Sequence, residues 1–148
     1  MLAISIEGLD AVLSGFDGML QRSSNLRPLL LEIGEDLTES TKQRFVTTTA
    51  PDGSQWAKNS DVTLAHKSGS RPLTDDGHLA ASIHYSMIGS ESVEVGSNMD
   101  QAAMMQFGGT KAEFPHLWGD IPARPYIGFS AAELAGFLDS VGFSLCKM

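Results

Sequence analysis

The sequence predicts an α+β fold with amphipathic N-terminal helices, a small antiparallel sheet with a long loop, and a C-terminal helix. Apolar residues recur at helical spacing before residue 47 and again after residue 130. Two short runs between residues 79 and 96 instead alternate apolar and polar positions, as strands do. A length of 148 residues suits a single hydrophobic core, so we expect 1–148 to form one domain.

Two helices are predicted before residue 47. The first follows a short strand over residues 2–7, and its apolar face consists of Leu9, Val12, Leu13, Phe16, Met19 and Leu20. The second begins at Asn25, a favourable N-cap, carries Pro28 in its first turn and continues to about Val46. Apolar stripes of this kind usually pack into a core, so we interpret both as packing faces.

The sequence predicts a long loop over residues 47–78 that could be flexible, because apolar periodicity disappears and turn residues dominate. A loop of this length in a compact domain is usually either functional or disordered. Trp56 has two interpretations: it folds back to anchor the loop on the core, or it contacts a neighbouring subunit. Lys58, Lys67 and Arg71 give the loop a positive balance that a head-to-tail ring could use.

A hairpin is predicted next. Residues 79–88 alternate as a strand with one buried face, and residues 92–96 form its antiparallel partner after a short turn. A third helix is expected from Met99 to Phe107, capped by Asn98 or Ser97 and ended by glycine in a left-handed conformation.

The stretch from Ile121 to Ser130 is the point around which the rest of the chain is organised. Its two prolines exclude a helix and hold Arg124 on a stiff, extended backbone. Arg124 could bind a carboxylate or carbonyl of a partner, or it could tie down its own loop. A short apolar strand from Tyr126 follows, and the sequence from Ser130 to Glu133 has the form of a capping box that opens the last helix.

The composition limits the classes of partner. The net charge is −8, from 10 basic and 18 acidic residues, so we expect no direct nucleic-acid binding. The apolar runs are too short to cross a bilayer, and residues 1–6 lack the features of a signal peptide, which predicts no membrane association and a cytosolic location. The single cysteine, Cys146, excludes an internal disulfide.

No side-chain pattern typical of catalysis or metal binding is visible. None of the histidines has a second histidine or acid three or four residues further along a predicted helix; they are His66, His78, His84 and His116. Asp75 and Asp76 adjoin a glycine and are interpreted as a turn. We therefore predict no enzymatic activity, cofactor or metal. A hydrolase that uses His84 or His116 is the alternative from the enzyme class.

An ordered set of short motifs runs from about Leu26 to Phe129. It comprises Arg44-Phe45, P-D-G-x-x-W ending at Trp56, Leu73-Thr74 before Gly77-x-Leu79, Ser82-Ile83, Val95-Gly96-Ser97, Gln106-x-Gly108 and I-P-A-R-P over 121–125. This set resembles the phage virion morphogenesis family, the tail-completion proteins of contractile-tailed phages such as Mu. The chain departs from the family pattern at Asp75 and Asp76, which are added acids.

The resemblance implies a structural protein that completes the tail or neck and enables head–tail joining, as an oligomeric ring that could be hexameric. Tail tube or sheath proteins and head-connector proteins would be its partners, in the host cytoplasm during assembly and then in the virion. The candidate interface residues are Trp56, Gln106, Gly108, Pro122, Arg124 and Pro125. Arg124→Glu is expected to weaken assembly while the monomer stays folded. The alternative is a transient assembly chaperone or binding module that the finished virion does not retain.

Overall fold

The computed structural model describes residues 26–146. The predicted strand over residues 2–7, the first predicted helix and the proposed cap at Asn25 lie outside these residues. Within them the chain has five helices and one two-stranded sheet, and this confirms the α+β class. The elements are α1 (Arg27–Thr47), α2 (Asp61–His66), α3 (His78–Ser82), β1 (His84–Ile88), β2 (Ser92–Gly96), α4 (Ala102–Phe107) and α5 (Ala131–Cys146).

Helix α1 is the central element and packs against the sheet, α3 and α5. It follows Leu26, which makes no capping hydrogen bond through its side chain, and Pro28 lies in the first turn as predicted. It ends where Thr48 takes a left-handed conformation, with φ 56°. Gly34 faces the sheet so closely that a Cβ there would lie 2.8 Å from Val93 and 3.0 Å from Tyr85. The sheet can therefore approach the α1 backbone directly.

The predicted hairpin is confirmed. Strands β1 and β2 are antiparallel, with Tyr85 opposite Val95 and Met87 opposite Val93. The chain from Leu79 to Ser82 is helical rather than part of the first strand, which corrects the sequence-based boundary. Leu79 and Ile83 are both buried, and a helical turn places two residues four apart on the same side.

The polar region between α1 and α3 is not uniformly irregular. Thr49 and Gln55 form an antiparallel bridge around the Pro51 turn. Further along, the one-and-a-half-turn helix α2 begins after Ser60, whose hydroxyl accepts a hydrogen bond from the Thr63 N–H. The predicted loop over residues 47–78 therefore contains local structure at two places.

Helix α4 is shorter than predicted. Ser97 accepts a hydrogen bond from the Met99 N–H, but this closes a turn, and the helix begins only at Ala102. The predicted strand after Arg124 is also wrong. Among residues 26–146, strand pairing outside β1 and β2 is confined to single bridges, and Tyr126 is in none of them.

The capping box of the last helix is confirmed. The Glu133 N–H donates to the Ser130 hydroxyl, and the Ser130 N–H donates to the Glu133 carboxylate. The hydrophobic core joins α1, the long loop, α3, β2, α4 and the segment before α5; its buried members are Leu37, Phe45, Ala50, Trp56, Leu79, Ile83, Val95, Ala102 and Tyr126. Across residues 26–146, every helix is too short or too polar to span a membrane.

Candidate functional site

The six candidate interface residues meet at one place in the fold. Each of them lies in the segment of residues 121–128 or contacts it, although the chain between the first and the last is about seventy residues long. We call this segment, with the side chains that bind it, the motif junction. Arg44, Trp56 and Gln106 bind the segment, and the backbone at Gly108 packs against it. The junction also includes Arg124, which reaches from the segment to the long loop, and Glu133, which binds Arg44.

Gln106 pairs with the backbone of the segment as a strand would. Its Oε1 accepts from the N–H groups of Tyr126 and Ile127 at 2.9 and 3.1 Å. Its Nε2 donates to the Ile127 carbonyl oxygen at 3.0 Å. One amide side chain therefore satisfies three backbone groups, which explains why this stretch needs no neighbouring strand.

Gly108 lets the segment approach the end of α4. A Cβ at this position would lie 2.7 Å from both the Ile121 carbonyl oxygen and the Ala123 nitrogen, which is too close for any side chain. The residue has φ 74° and ψ 179°, so its positive φ is as expected but its conformation is not the predicted left-handed cap. Next to it, Gly109 and Ile121 form a bridge.

Arg124 holds the long loop. Its Nε donates to the Ala57 carbonyl oxygen at 2.8 Å, and its Nη2 donates to the Lys58 carbonyl oxygen at 2.9 Å. The side chain is buried. Arg124 therefore matches its second interpretation, in which it ties down a loop of its own chain. A glutamate here would face two carbonyl oxygens, so we no longer expect Arg124→Glu to leave the loop in place.

Trp56 fastens the same loop to the core. Its indole Nε1–H donates to the Pro125 carbonyl oxygen at 2.7 Å, and its ring meets the Phe45 ring edge-on with centroids 5.5 Å apart. Only 6% of its surface is exposed. Trp56 thus occupies the position that the first of its two interpretations describes, inside the domain.

Arg44 is central to the junction, although from the sequence it was named only as part of the Arg44-Phe45 motif and not among the candidate interface residues. Its Nη1 donates to the carbonyl oxygens of Tyr126 and Gly128, both at 2.9 Å. Its Nη2 donates to both carboxylate oxygens of Glu133, at 2.9 and 2.7 Å. The sequence feature that could have pointed to this role is an arginine next to an aromatic residue at the end of the apolar stripe of a predicted helix.

Tyr126 and Glu133 have shifted pKa values. Burial raises the pKa of Tyr126 to about 12, and its hydroxyl donates to the Ala102 carbonyl oxygen at 2.8 Å. Burial acts to raise the pKa of Glu133, but hydrogen bonds from Ser130 and Ser40 and the charge of Arg44 lower it overall. The raised pKa favours the neutral phenol of Tyr126, and the lowered pKa favours the charged carboxylate of Glu133. These are the forms that make the hydrogen bonds of the junction.

The junction offers hydrogen bonds and packing rather than an array of reactive groups. Residues 26–146 contain no cluster of three or more side chains that could bind a metal ion. The junction carboxylate, Glu133, is engaged by Arg44 and by the capping box. The class that fold and site define is a small α+β domain in which polar side chains hold distant chain segments together.

The comparison with known families agrees with this class. The sequence profile of the phage virion morphogenesis family matches residues 8–144, nearly the whole chain. The protein therefore belongs to the phage virion morphogenesis family and has a structural or assembly role in phage particles. No curated protein and no solved structure gave a match.

Proposed function

We propose that this protein completes the phage tail or neck and enables the joining of head and tail, as an oligomeric ring and without catalysis. The observation that carries the proposal is that the family match spans the chain and that the motif residues within it build one junction. Such a junction serves to hold surfaces in a fixed arrangement, as a connecting protein in a particle requires.

The candidate interface residues act indirectly in this proposal. Arg124 and Trp56 fix the loop after α1 at its middle, at residues 56–58. Large apolar side chains remain exposed nearby: Val62 and Leu64 on α2, and Trp118, which is 71% exposed and lines a pocket with Val62. Exposed apolar side chains of this size are suited to contacts between subunits. Gln106, Gly108, Pro122 and Pro125 then position those surfaces.

A closed ring needs two different complementary surfaces on each subunit. The proposed neighbours outside the ring are tail tube or sheath proteins on one side and head-connector proteins on the other. The protein would act in the host cytoplasm during assembly and remain in the virion. Its net charge of −8 favours protein partners over a direct contact with DNA.

The test is electron microscopy of lysates from a producing phage that lacks this chain, with and without the gene restored. We expect separate filled heads and tails, or tails of abnormal length, and we expect restoration to yield joined particles. Normal infectious particles without the gene would contradict the proposal. Mass spectrometry of purified particles adds a second readout, since finding the protein absent would favour a transient assembly chaperone.

A further inference from the structure

A cavity of about 500 Å³ opens beside the motif junction, and its lining includes no residue of α1. It lies between α2, the turn that precedes α3, and the loop that carries Trp118. Its walls combine apolar surface from Leu73 and Met105 with two cations, Lys67 and Arg124, and two carboxylates, Asp75 and Asp76. A volume of this size suits a bound side chain or small ligand.

Arg124 lacks an acidic partner. Nε and Nη2 bind loop carbonyl oxygens, while Nη1 has no hydrogen-bond partner among residues 26–146. Within the same residues no carboxylate forms a salt bridge with it. The residue is only 6% exposed, and burial lowers the pKa of its guanidinium. Its Nη1 is not among the fully buried unpaired atoms of the described residues, so it faces the open cavity, where a carboxylate from outside could accept its hydrogen bond.

Lys67 adds a second positive charge to the same wall. Burial lowers its pKa; Asp75 raises it, Arg124 lowers it further, and Asp76 raises it. The Nζ group donates to the Arg71 carbonyl oxygen at 3.0 Å. The two aspartates thus offset part of the Lys67 charge, but Arg124 stays unmatched. The Trp118 ring at the rim, 4.7 Å from the His66 ring, provides apolar surface for the stem of an incoming side chain.

The complementary charge is present elsewhere on the same chain. Four exposed carboxylates follow one another at helical spacing along α1: Glu32, Glu35, Asp36 and Glu39. We call these residues the acidic face of α1. No residue of α1 lines the cavity, so one molecule can offer both surfaces at once. That arrangement is what a head-to-tail contact between identical subunits needs.

We propose that the cavity receives a carboxylate side chain from the acidic face of α1 of a second copy of this protein. The inference rests on the oligomeric assembly proposed above and names the surfaces that it uses. In the contact, the carboxylate accepts a hydrogen bond from Arg124 Nη1 and lies beside Lys67, and Trp118 covers the side-chain stem.

The experiment measures self-association of the full chain by sedimentation velocity over a range of concentrations, at low and high salt. Lys67→Glu should weaken association roughly tenfold or more, because it places like charges opposite each other. The control is Lys111→Glu, which changes the net charge equally and does not line the cavity. It should leave association near the wild-type level.

A charge swap tests the pairing directly. Glu35→Lys with Glu39→Lys should also weaken association, and adding Lys67→Glu to this double variant should restore part of it, since an incoming lysine then meets the introduced glutamate but still faces Arg124. The two α1 substitutions are at exposed positions, so they should not disturb folding. They therefore still test the contact if Lys67→Glu alone disturbs the loop. Circular dichroism confirms that each variant is folded.

Three results would overturn the inference: equal effects of Lys67→Glu and Lys111→Glu, no restoration by the swap, or a wild-type chain that stays monomeric at every concentration. The proposed function is decided separately by microscopy of the phage that lacks the chain. A particle defect in that phage, together with monomeric or swap-insensitive protein, would reject the cavity contact and leave the tail-completion role standing.

Discussion

Glu133 is the residue on which two parts of the motif junction depend. Its carboxylate accepts the Ser130 N–H that begins α5 and binds Arg44 at the end of α1. The Glu133 side chain is 19% exposed and that of Arg44 8%, so solvent screens this pair less than a surface pair. Removing either partner would leave a poorly solvated charge. Arg124 differs from Arg44, because within residues 26–146 its side chain donates hydrogen bonds to backbone carbonyl oxygens and not to a carboxylate.

We expect the stability of the protein to fall in acid partly through Glu133. Its pKa in the folded state is below the ordinary value of 4.5, so its contribution is fully present above 4.5 and is lost as the pH falls through the lower folded value. Urea unfolding measured at a series of pH values from neutral to acid checks this.

Glu133→Gln provides the comparison, because glutamine cannot ionise. The variant should be less stable than wild type near neutral pH, and the difference should shrink as the pH is lowered. A difference that stays constant or grows in acid would contradict the role assigned to the carboxylate.

At the scale of elements, the segment of residues 121–128 is unusual because it buries Arg124 and Tyr126 without belonging to a strand. Gln106, Arg44 and Trp56 satisfy its backbone groups instead. Buried backbone polar groups need partners, and side chains from three separate elements supply them here. Residues 121–128 therefore connect α1, the long loop and α4 and lead directly into α5.

Gly108→Ala should destabilise the protein by more than about 2 kcal/mol, because it combines strain at a positive φ with overlap against the segment. The matched control is Gly119→Ala, where a Cβ would meet no atom within 4 Å. Chemical unfolding of both variants and of wild type measures the difference. Equal stability of the two variants would show that the close approach at Gly108 is not needed.

At the scale of the whole molecule, stability and assembly depend on different residues. The motif junction is inside the domain, whereas the acidic face of α1 and the rim of the cavity are outside it. Junction variants reduce the amount of folded protein, and surface variants change how folded molecules associate. The two kinds of defect should therefore respond differently to temperature.

In a phage that lacks the chain, we expect Gly108→Ala to restore infectious particles at low temperature and to fail at high temperature, since unfolding limits it. Lys67→Glu should be defective at both temperatures, since it folds but lacks the contact. Plaque counts with each variant supplied from a plasmid measure this, and Gly119→Ala serves as control. A Lys67→Glu defect confined to high temperature would assign that residue to stability instead.

Local signals in the sequence predicted the elements well where the deciding contacts are a few residues apart. The apolar stripe and Pro28 predicted α1, and the alternation of apolar and polar residues on both sides of Gly89 predicted the hairpin. The capping box at Ser130 predicted the start of α5. The prediction of a strand over residues 79–82 was wrong because a short run with apolar residues both two and four apart fits either a strand or a helical turn. The structure has the helical turn, which buries Leu79 and Ile83 together.

The sequence by itself determined the class, the main helices, the hairpin and the family, because these depend on periodicity, caps and ordered motifs. Only the tertiary structure decided what the motif residues do. Arg124 binds carbonyl groups 66 and 67 positions away, and Arg44 binds a carboxylate 89 positions away. No local pattern encodes such pairings, because they arise when packing brings distant segments into contact and removes their polar groups from water.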